Sequence, residues 1–250
     1  MPTTDLIQIK KLTKTFGGVT AVSELDCLVK QGELLGIIGP NGSGKTTLVN
    51  LMTGFVRPSA GKILYRGHNI TRLSAHRIIR LGIARTFQMV RPFYQLPAYK
   101  NMIIPLYSPR VKQMLGGRYG DRDAIALDML EEVGFERDAH VAYKPAGALP
   151  QGYLKRLELA KAIALQPELI ILDELFSGLS LAEVASIVPI IEKLRHQGKT
   201  IIMIEHRLKE LFRIADRVMV LNFGQKIAEG SAQDVMNSEA VKKAYLGSER

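Results

Sequence analysis

Apolar and polar residues alternate along two stretches near the start of the chain, LIQIKK (6–11) and LDCLVK (25–30). This period of two predicts strands that bury one face. Three later stretches are apolar almost throughout and predict strands buried on both faces: ELLGIIG (33–39), LIILDE (169–174) and TIIMIEH (200–206). KILYRG (62–67) predicts a further strand, and residues 217–230 predict a hairpin that turns at Asn222–Gly224.

Helical patterns lie between these strands and cover residues 45–54, 75–83, 121–133, 150–165, 181–196, 207–215 and about 232–245. Residues 89–123 are predicted to be irregular, because they contain several prolines and the glycine pair Gly116–Gly117. The alternation of strands and helices predicts an α/β fold with a largely parallel sheet and antiparallel strands at its ends. We expect a single domain, with a core from about 1–88 and 161–250 and a helical lobe from about 89–160.

The composition suits a folded domain, since 46% of the 250 residues are apolar. The net charge is +10, but lysine and arginine are scattered without runs, so we expect no direct binding to nucleic acid. The single cysteine, Cys27, is expected to be a small buried residue. The sequence has neither a signal-peptide pattern nor the ~18 consecutive apolar residues of a membrane span, so we expect a partner to hold the chain at any membrane.

The stretch GPNGSGKT, from Gly39 to Thr46, matches the phosphate-binding pattern G-x-x-x-x-G-K-[ST]. It follows a predicted strand and begins a predicted helix, which is the context that this loop requires. Glycines allow backbone N–H groups to surround phosphate oxygens, and the helix N-terminus adds a partial positive charge. We therefore expect Lys45 to contact the β- and γ-phosphates and Thr46 to bind Mg²⁺.

Polar side chains at other strand ends complete a candidate ATPase site. LIILDE ends in two carboxylates, of which we assign Asp173 to Mg²⁺ and Glu174 to the water that attacks the γ-phosphate. Gln88 is a candidate to contact Mg²⁺ or the attacking water, and His206 is a candidate to contact the γ-phosphate. Either residue on its own is more often structural.

The segments GPNGSGKT, RTFQ, LPQGYLKRLELAKAIA, LIILDE, SGLS and IEH, in this order, resemble the nucleotide-binding subunits of ABC transporters along essentially the whole chain. TFGGVTAV, GIARTFQ, the extended loop that follows and the ending AYLGSE are most similar to the ATPase subunits of branched-chain amino-acid importers. The resemblance implies a P-loop NTPase fold with a RecA-like mixed core sheet, an antiparallel β edge and an α-helical lobe. It also implies hydrolysis of ATP with Mg²⁺.

The resemblance assigns roles to individual residues. Phe16 matches the aromatic residue that stacks on adenine, with a core phenylalanine as the alternative. The expected nucleotide-binding residues are Phe16, Gly39, Pro40, Asn41, Gly42, Ser43, Gly44, Lys45, Thr46, Thr47 and Gly152. The expected catalytic residues are Glu174 (the Walker B glutamate), His206 (the switch histidine), Gln88 (the Q-loop glutamine) and Lys45. The expected metal ligands are Thr46, Gln88 and Asp173.

The chain departs from the family pattern in the signature motif, which reads LPQGY (149–153). Pro150 stands at the serine position, Gln151 at the first glycine and Tyr153 at the glutamine, while Gly152 retains the second glycine. Pro150 has no hydroxyl, so one contact to the γ-phosphate is lost, which costs about 1–3 kcal/mol if it is charge-assisted. Because the helix N-terminus still favours an anion, we expect a weaker but functional ATP-closed pair.

The resemblance also implies partners. Two ATPase subunits, alike or unlike, pair head to tail around ATP and move transmembrane permease subunits seated in a groove between the core and the helical lobe. Residues 89–118 are expected to contribute to this docking, with a packed surface loop as the alternative. An extracytoplasmic substrate-binding protein takes part indirectly, and the chain is expected at the cytoplasmic face of the inner membrane. Leu175 after the Walker B glutamate and Ser180 at the end of the D-loop (Ser177–Ser180) are milder departures.

Other ATPase classes share some of these motifs. ATPases of the DNA-repair type place hundreds of coiled-coil residues between the two Walker motifs, whereas Lys45 and Asp173 are 128 positions apart here. Translation factors with paired cassettes need two Walker A loops, and this chain has one. Because the signature is altered, a weakly active or regulatory subunit of an unlike pair is an alternative interpretation. An ABC subunit for another substrate is a further alternative.

Overall fold

The computed structural model describes residues 5–114 and 121–246, which form two β-sheets and the helices around them. An antiparallel sheet has the strand order β2-β1-β4-β5. Its strands are β1 (Asp5–Phe16), β2 (Val19–Lys30), β4 (Ala60–Tyr65) and β5 (His68–Asn69). This sheet is the antiparallel edge that the sequence predicts.

The larger sheet has six strands in the order β10-β9-β3-β8-β7-β6. Its strands are β3 (Leu34–Ile38), β6 (Ile83–Arg85), β7 (Leu169–Asp173), β8 (Thr200–Ile204), β9 (Arg217–Asn222) and β10 (Gln225–Gly230). Neighbouring strands are parallel except β9 and β10, which form the predicted antiparallel hairpin. The carboxyl ends of β3, β6, β7 and β8 therefore meet at one edge of the sheet, where the candidate site lies.

Ten α-helices accompany the sheets in the described part of the chain. They are α1 (Lys45–Met52), α2 (Ala75–Leu81), α3 (Ile103–Leu106), α4 (Pro109–Met114), α5 (Arg122–Glu132), α6 (Gln151–Ala164), α7 (Leu181–His196), α8 (Leu208–Ile214), α9 (Ala232–Asn237) and α10 (Glu239–Leu246). Between β6 and β7 the described elements are all helical.

The central strands are buried on both faces, as their apolar sequences predict. Along β3, Leu34 and Ile38 pack in a cluster with the helices between β6 and β7, whereas Leu35 and Ile37 pack in a cluster with β1 and α1. Cys27 belongs to the second cluster and is buried, as expected. Among the described helices, none has the length and apolar character to cross a bilayer.

Three sequence predictions of local structure are wrong in detail. The predicted helix over 75–83 ends at Leu81 because Gly82 adopts a left-handed conformation (φ 105°), and the short strand β6 follows. The single helix predicted over 232–245 is two helices, since Ser238 between them is extended (φ −66°, ψ 121°). The stretch 89–123 contains α3 and α4 as well as irregular backbone. The pair Gly116–Gly117 and the end of AYLGSE lie outside the described residues.

Polar side chains hold the irregular stretch together and also join it to the rest of the molecule. The Oδ1 atom of buried Asn101 accepts a hydrogen bond from the Phe93 N–H (2.7 Å), and its amide donates to the Pro97 carbonyl (3.0 Å). Arg110 on α4 donates to the carbonyls of Leu165 (3.1 Å) and Arg80 (3.0 Å), at the ends of α6 and α2. These contacts fix one wall of a groove between α2 and α3.

Candidate active site

The phosphate loop joins β3 to α1, and its glycines allow close approach of backbone. Gly39 (φ 154°) and Gly44 (φ 103°) have backbone conformations that suit glycine. A Cβ at Gly39 would overlap with the Leu221 carbonyl oxygen, and one at Gly44 would overlap with the Ala21 carbonyl oxygen. The loop is therefore clamped between β9 and β2, with α1 beginning at its end.

Lys45 is the first residue of α1, and its ammonium folds back over the loop. The Nζ atom donates to the carbonyl oxygens of Gly39 (2.7 Å) and Pro40 (2.9 Å). Burial lowers the pKa of Lys45, while the nearby carboxylates of Glu174 and Asp173 oppose this shift. The ammonium thus has two carbonyl partners that phosphate oxygens can replace.

Asp173 ends β7 and is almost fully buried. Its Oδ2 atom accepts a hydrogen bond from Nη2 of Arg85 at 2.8 Å, in a pair with little solvent contact. Burial raises the pKa of Asp173, and the Arg85 guanidinium opposes this. Arg85 was not predicted from the sequence, because the short strand that it ends, β6, was not predicted either.

Glu174 brings two more predicted residues together. Its two carboxylate oxygens lie 2.6 Å from Nε2 of Gln88 and 3.1 Å from Nε2 of His206. The backbone of Glu174 is left-handed (φ 50°), which is rare for a residue with a side chain. Its N–H donates to the Ile204 carbonyl (2.9 Å), so the tip of β7 is fixed to β8. Gln88, Glu174 and His206 therefore form one hydrogen-bonded group.

Lys155, on α6, is a second residue of this site that was not predicted from the sequence. It is 1% exposed, and its Nζ donates to the main-chain carbonyls of Gln88 (2.9 Å) and Glu174 (3.0 Å). Desolvation lowers the pKa of Lys155. Nearby Glu205 accepts a hydrogen bond from the Phe176 N–H (2.8 Å), and burial raises its pKa to about 7. Helix α6, which begins within the signature motif, is thus joined to the backbone of Gln88 and Glu174.

Thr46, Gln88 and Asp173, the three predicted metal ligands, line one cleft of about 450 Å³. A threonine hydroxyl, an amide oxygen and a carboxylate are the oxygen ligands that Mg²⁺ prefers. Arg85 and the Glu158–Lys161 ion pair line the same cleft. The residues present fit a magnesium ion bound beside a phosphate.

Phe16 ends β1 and is 48% exposed, with Nζ of Lys14 4.7 Å from its ring centre. This exposure contradicts the alternative of a core phenylalanine. The ring is free to stack on a planar base, and its role with adenine stays a prediction.

Gly152, in the first turn of α6, has a local reason to be glycine. A Cβ there would overlap with the Glu183 carboxylate. Glu183 and Ser180 form a capping box at the start of α7, so Ser180 serves as the helix N-cap. Pro150 immediately precedes α6 and provides no side-chain cap. The Gly152 N–H at this helix start donates a hydrogen bond to the Glu183 carboxylate and thereby helps to lower the pKa of Glu183. The backbone N–H groups that are not bound in this way are the anion donors left at the start of α6.

Comparison with known proteins identifies the family. The family model for ABC transporters matches residues 22–177. The chain belongs to the ABC transporter family. A second family model, for branched-chain amino acid ATP-binding cassette transporters, matches residues 225–250. As an ABC ATPase subunit, the chain binds nucleotide and hydrolyses ATP in support of transport.

Individual relatives agree with this assignment. The chain is 35% identical to the high-affinity branched-chain amino acid transport ATP-binding protein BraF of Pseudomonas aeruginosa, over 97% of this chain and 98% of that protein. It is 32% identical to the lipopolysaccharide export system ATP-binding protein LptB of Haemophilus influenzae, over 97% of each. A solved ATP-binding cassette of an ABC transporter, in its ADP conformation, is similar with a TM-score of 0.83 and 28% identity, over 97% of this chain and 99% of that one. These comparisons confirm the predicted P-loop NTPase fold.

Proposed function

We propose that this ABC subunit hydrolyses ATP to drive the import of branched-chain or related amino acids, at the cytoplasmic face of a membrane. The observation that supports this most directly is the assembly of Lys45, Asp173, Glu174 and His206 at one sheet edge, beside the phosphate loop. The named substrate of the relatives and the match at residues 225–250 support the choice of amino acids. The 32% identity to the lipopolysaccharide export protein makes that cargo the competing choice.

The residues suggest the following chemistry. Lys45 leaves the carbonyls of Gly39 and Pro40 and binds the β- and γ-phosphates. Thr46, Gln88 and Asp173 would hold Mg²⁺, which neutralises phosphate charge when bound. The Glu174 carboxylate accepts the proton of the attacking water, and His206 orients this carboxylate. For the water to reach Glu174, the bond from Gln88 must open.

A complete site also requires a second ATPase subunit. In this proposal the start of α6 in one subunit faces the γ-phosphate bound to the other, with Gly152 and the helix N-terminus as the contact. The Pro150 side chain provides no hydroxyl there, so an identical pair closes weakly around ATP. An unlike partner with a complete signature would give one strong and one weak site.

The groove between α2 and α3 is the proposed seat of a permease helix. It has a volume of about 490 Å³ and a mainly apolar lining that includes Phe55, Phe87, Ile104 and Tyr107. Ile104 and Tyr107 are more than half exposed. Such exposed apolar surface is typical of a docking site. Residues between Ile104 and Arg110, within the predicted docking stretch 89–118, provide one wall of the groove. Residues 115–118 of that stretch lie outside the described residues.

The test is ATP turnover by the purified chain as a function of its own concentration, with Glu174→Gln as the control. We expect the specific activity to rise with concentration, because two copies complete each site, and we expect the variant to bind ATP without turnover. A chain that binds ATP but is inactive at every concentration would point to an unlike ATPase partner. A chain that fails to bind ATP would refute the proposal.

The choice of substrate needs a second test. The chain is purified with the permease subunits that retain it and reconstituted into vesicles, and uptake of labelled leucine is measured with and without ATP. Uptake that depends on ATP and disappears with Glu174→Gln supports the amino-acid assignment. Full ATPase activity of the complex without leucine uptake would favour another cargo.

A further inference from the structure

Arg85 lies between the proposed magnesium cleft and the proposed docking groove, and it lines both. It ends β6, where it pairs with Ile171 of β7, and its side chain is 9% exposed. The proposed binding and hydrolysis of ATP do not use this residue. Its surroundings differ on its two sides, and the difference suggests a function.

The terminal nitrogens of the guanidinium make polar contacts. Nη2 donates to Asp173 Oδ2 (2.8 Å), and Nη1 donates to Asn50 Oδ1 (2.6 Å). A longer contact joins Nη1 to Thr53 Oγ1 (3.4 Å). Asn50 belongs to α1, the helix that begins at Lys45. Arg85 therefore joins the carboxylate expected to bind the metal to the helix that begins at the phosphate loop.

On the side of the groove, the guanidinium lies against two aromatic rings. Its Cζ atom is 4.8 Å from the ring centre of Phe87 and 5.7 Å from that of Phe55. The two rings meet edge to face, with centres 5.7 Å apart. Both are partly exposed, at 40% for Phe87 and 55% for Phe55. A segment seated in the groove would cover these rings and dehydrate the cation–π contacts, which strengthens them.

We propose that Arg85 is a positioning residue that transmits occupation of the groove to the Asp173 carboxylate through the Phe55–Phe87 ring pair. The proposal rests on the proposed function, namely on Asp173 as a metal ligand and on the groove as a docking site. Before the metal arrives, Arg85 neutralises a carboxylate that would otherwise repel the phosphates of ATP. When the rings shift, the guanidinium shifts with them, and its hydrogen-bonded ion pair with the Asp173 carboxylate changes.

The test measures nucleotide binding and does not require hydrolysis. The dissociation constant of a fluorescent, non-hydrolysable ATP analogue is determined for the full chain with EDTA and with Mg²⁺. The value with EDTA divided by the value with Mg²⁺ is the ratio that is compared among variants. Arg85→Gln leaves the charge of Asp173 uncompensated, so binding without the metal weakens and the ratio rises by about threefold or more. Arg85→Lys keeps a positive charge and changes the ratio by less than about twofold.

The groove end of the link is tested with Phe55→Ala, whose side chain is half exposed, so the variant is expected to fold. We expect a rise in the same ratio, in the same direction as for Arg85→Gln. The matched control is Leu81→Ala, which shortens an exposed apolar residue beside the groove that does not line it, and its ratio should equal that of the wild type. Thermal unfolding of each variant shows whether the fold is retained.

The outcomes separate this inference from the proposed function. An unchanged ratio in Phe55→Ala, or in a folded Arg85→Gln, overturns the inference. The ion pair between Arg85 and Asp173 would then be purely structural. A wild-type chain that does not bind the analogue, or binds it equally with and without Mg²⁺, overturns the proposed function as well. If Arg85→Gln unfolds, the result for Phe55→Ala decides.

Discussion

Replacing Lys155 by methionine removes a buried ammonium while keeping the length and apolar stem of the side chain. The change deletes two hydrogen bonds, from Nζ to the carbonyls of Gln88 (2.9 Å) and Glu174 (3.0 Å). Bonds from a charged donor each contribute about 1.5–3 kcal/mol, and the two carbonyls would lose these partners in a buried place. The loss is offset in part because methionine does not need to be desolvated as a charge.

We expect a net loss of about 3 kcal/mol in the free energy of unfolding. For a chain of this size that corresponds to a fall of about 6–12 °C in the melting temperature. We also expect turnover to fall by about tenfold or more, although the side chains of Gln88 and Glu174 do not change, because the backbone at both residues loses its anchor. Affinity for ATP should change little, since the two hydrogen bonds of Lys155 go to backbone carbonyls outside the phosphate loop.

The assays are urea denaturation, ATP turnover and binding of an ATP analogue, each with Lys193→Met as the matched control. Lys193 is exposed near the end of α7, so its replacement should stay within about 0.5 kcal/mol of the wild type. A Lys155→Met variant as stable and as active as the wild type would refute this reasoning. It would mean that the desolvation cost of the buried ammonium equals the stabilisation from its two hydrogen bonds.

Three further predictions concern the same site. Burial raises the pKa of Glu205 from 4.5 to about 7. The contribution of Glu205 to the stability of the folded protein is therefore fully present below pH 4.5 and is lost as the pH rises through 7. Urea denaturation of Glu205→Gln should therefore show a gain over the wild type that is about 2 kcal/mol larger at pH 8 than at pH 5, and a gain independent of pH would contradict the burial argument. Pro150→Ser restores the missing hydroxyl and should strengthen ATP-dependent pairing by about 5-fold or more in light scattering, whereas no change would show that the backbone N–H groups suffice. Phe16→Ala should weaken binding of ATP by about 5-fold in fluorescence titration, with the same loss for any adenine nucleotide, and an unchanged affinity would show that the ring does not stack on the base.

The local parts of the site could be predicted because they depend on short stretches of sequence. A buried strand, a glycine loop and a helix start follow one another from Leu34 to Lys45, so the phosphate loop needs no distant contact to be recognised. Asp173 and Glu174 were predictable for the same reason, since Asp173 ends an apolar strand and Glu174 follows it directly. Parallel strands then bring these tips to one edge of the sheet.

Contacts between distant segments could not be read from the sequence. The Arg85–Asp173 pair joins residues 88 positions apart, and Lys155 contacts two backbone carbonyls that belong to different segments. The prediction of one continuous helix over 232–245 was wrong because serine is compatible with a helix. The local pattern does not encode the extended conformation of Ser238.

The sequence by itself therefore determined the class of fold, the phosphate loop and the candidates for the reacting groups, since each depends on local pattern and on residue chemistry. Only the tertiary structure decided how those groups are held. It placed a carboxylate beside Gly152, an arginine between the groove and Asp173, and a buried lysine under Glu174. The physical reason is that desolvation and hydrogen bonding set the properties of these charges, and both depend on neighbours that are remote in the chain.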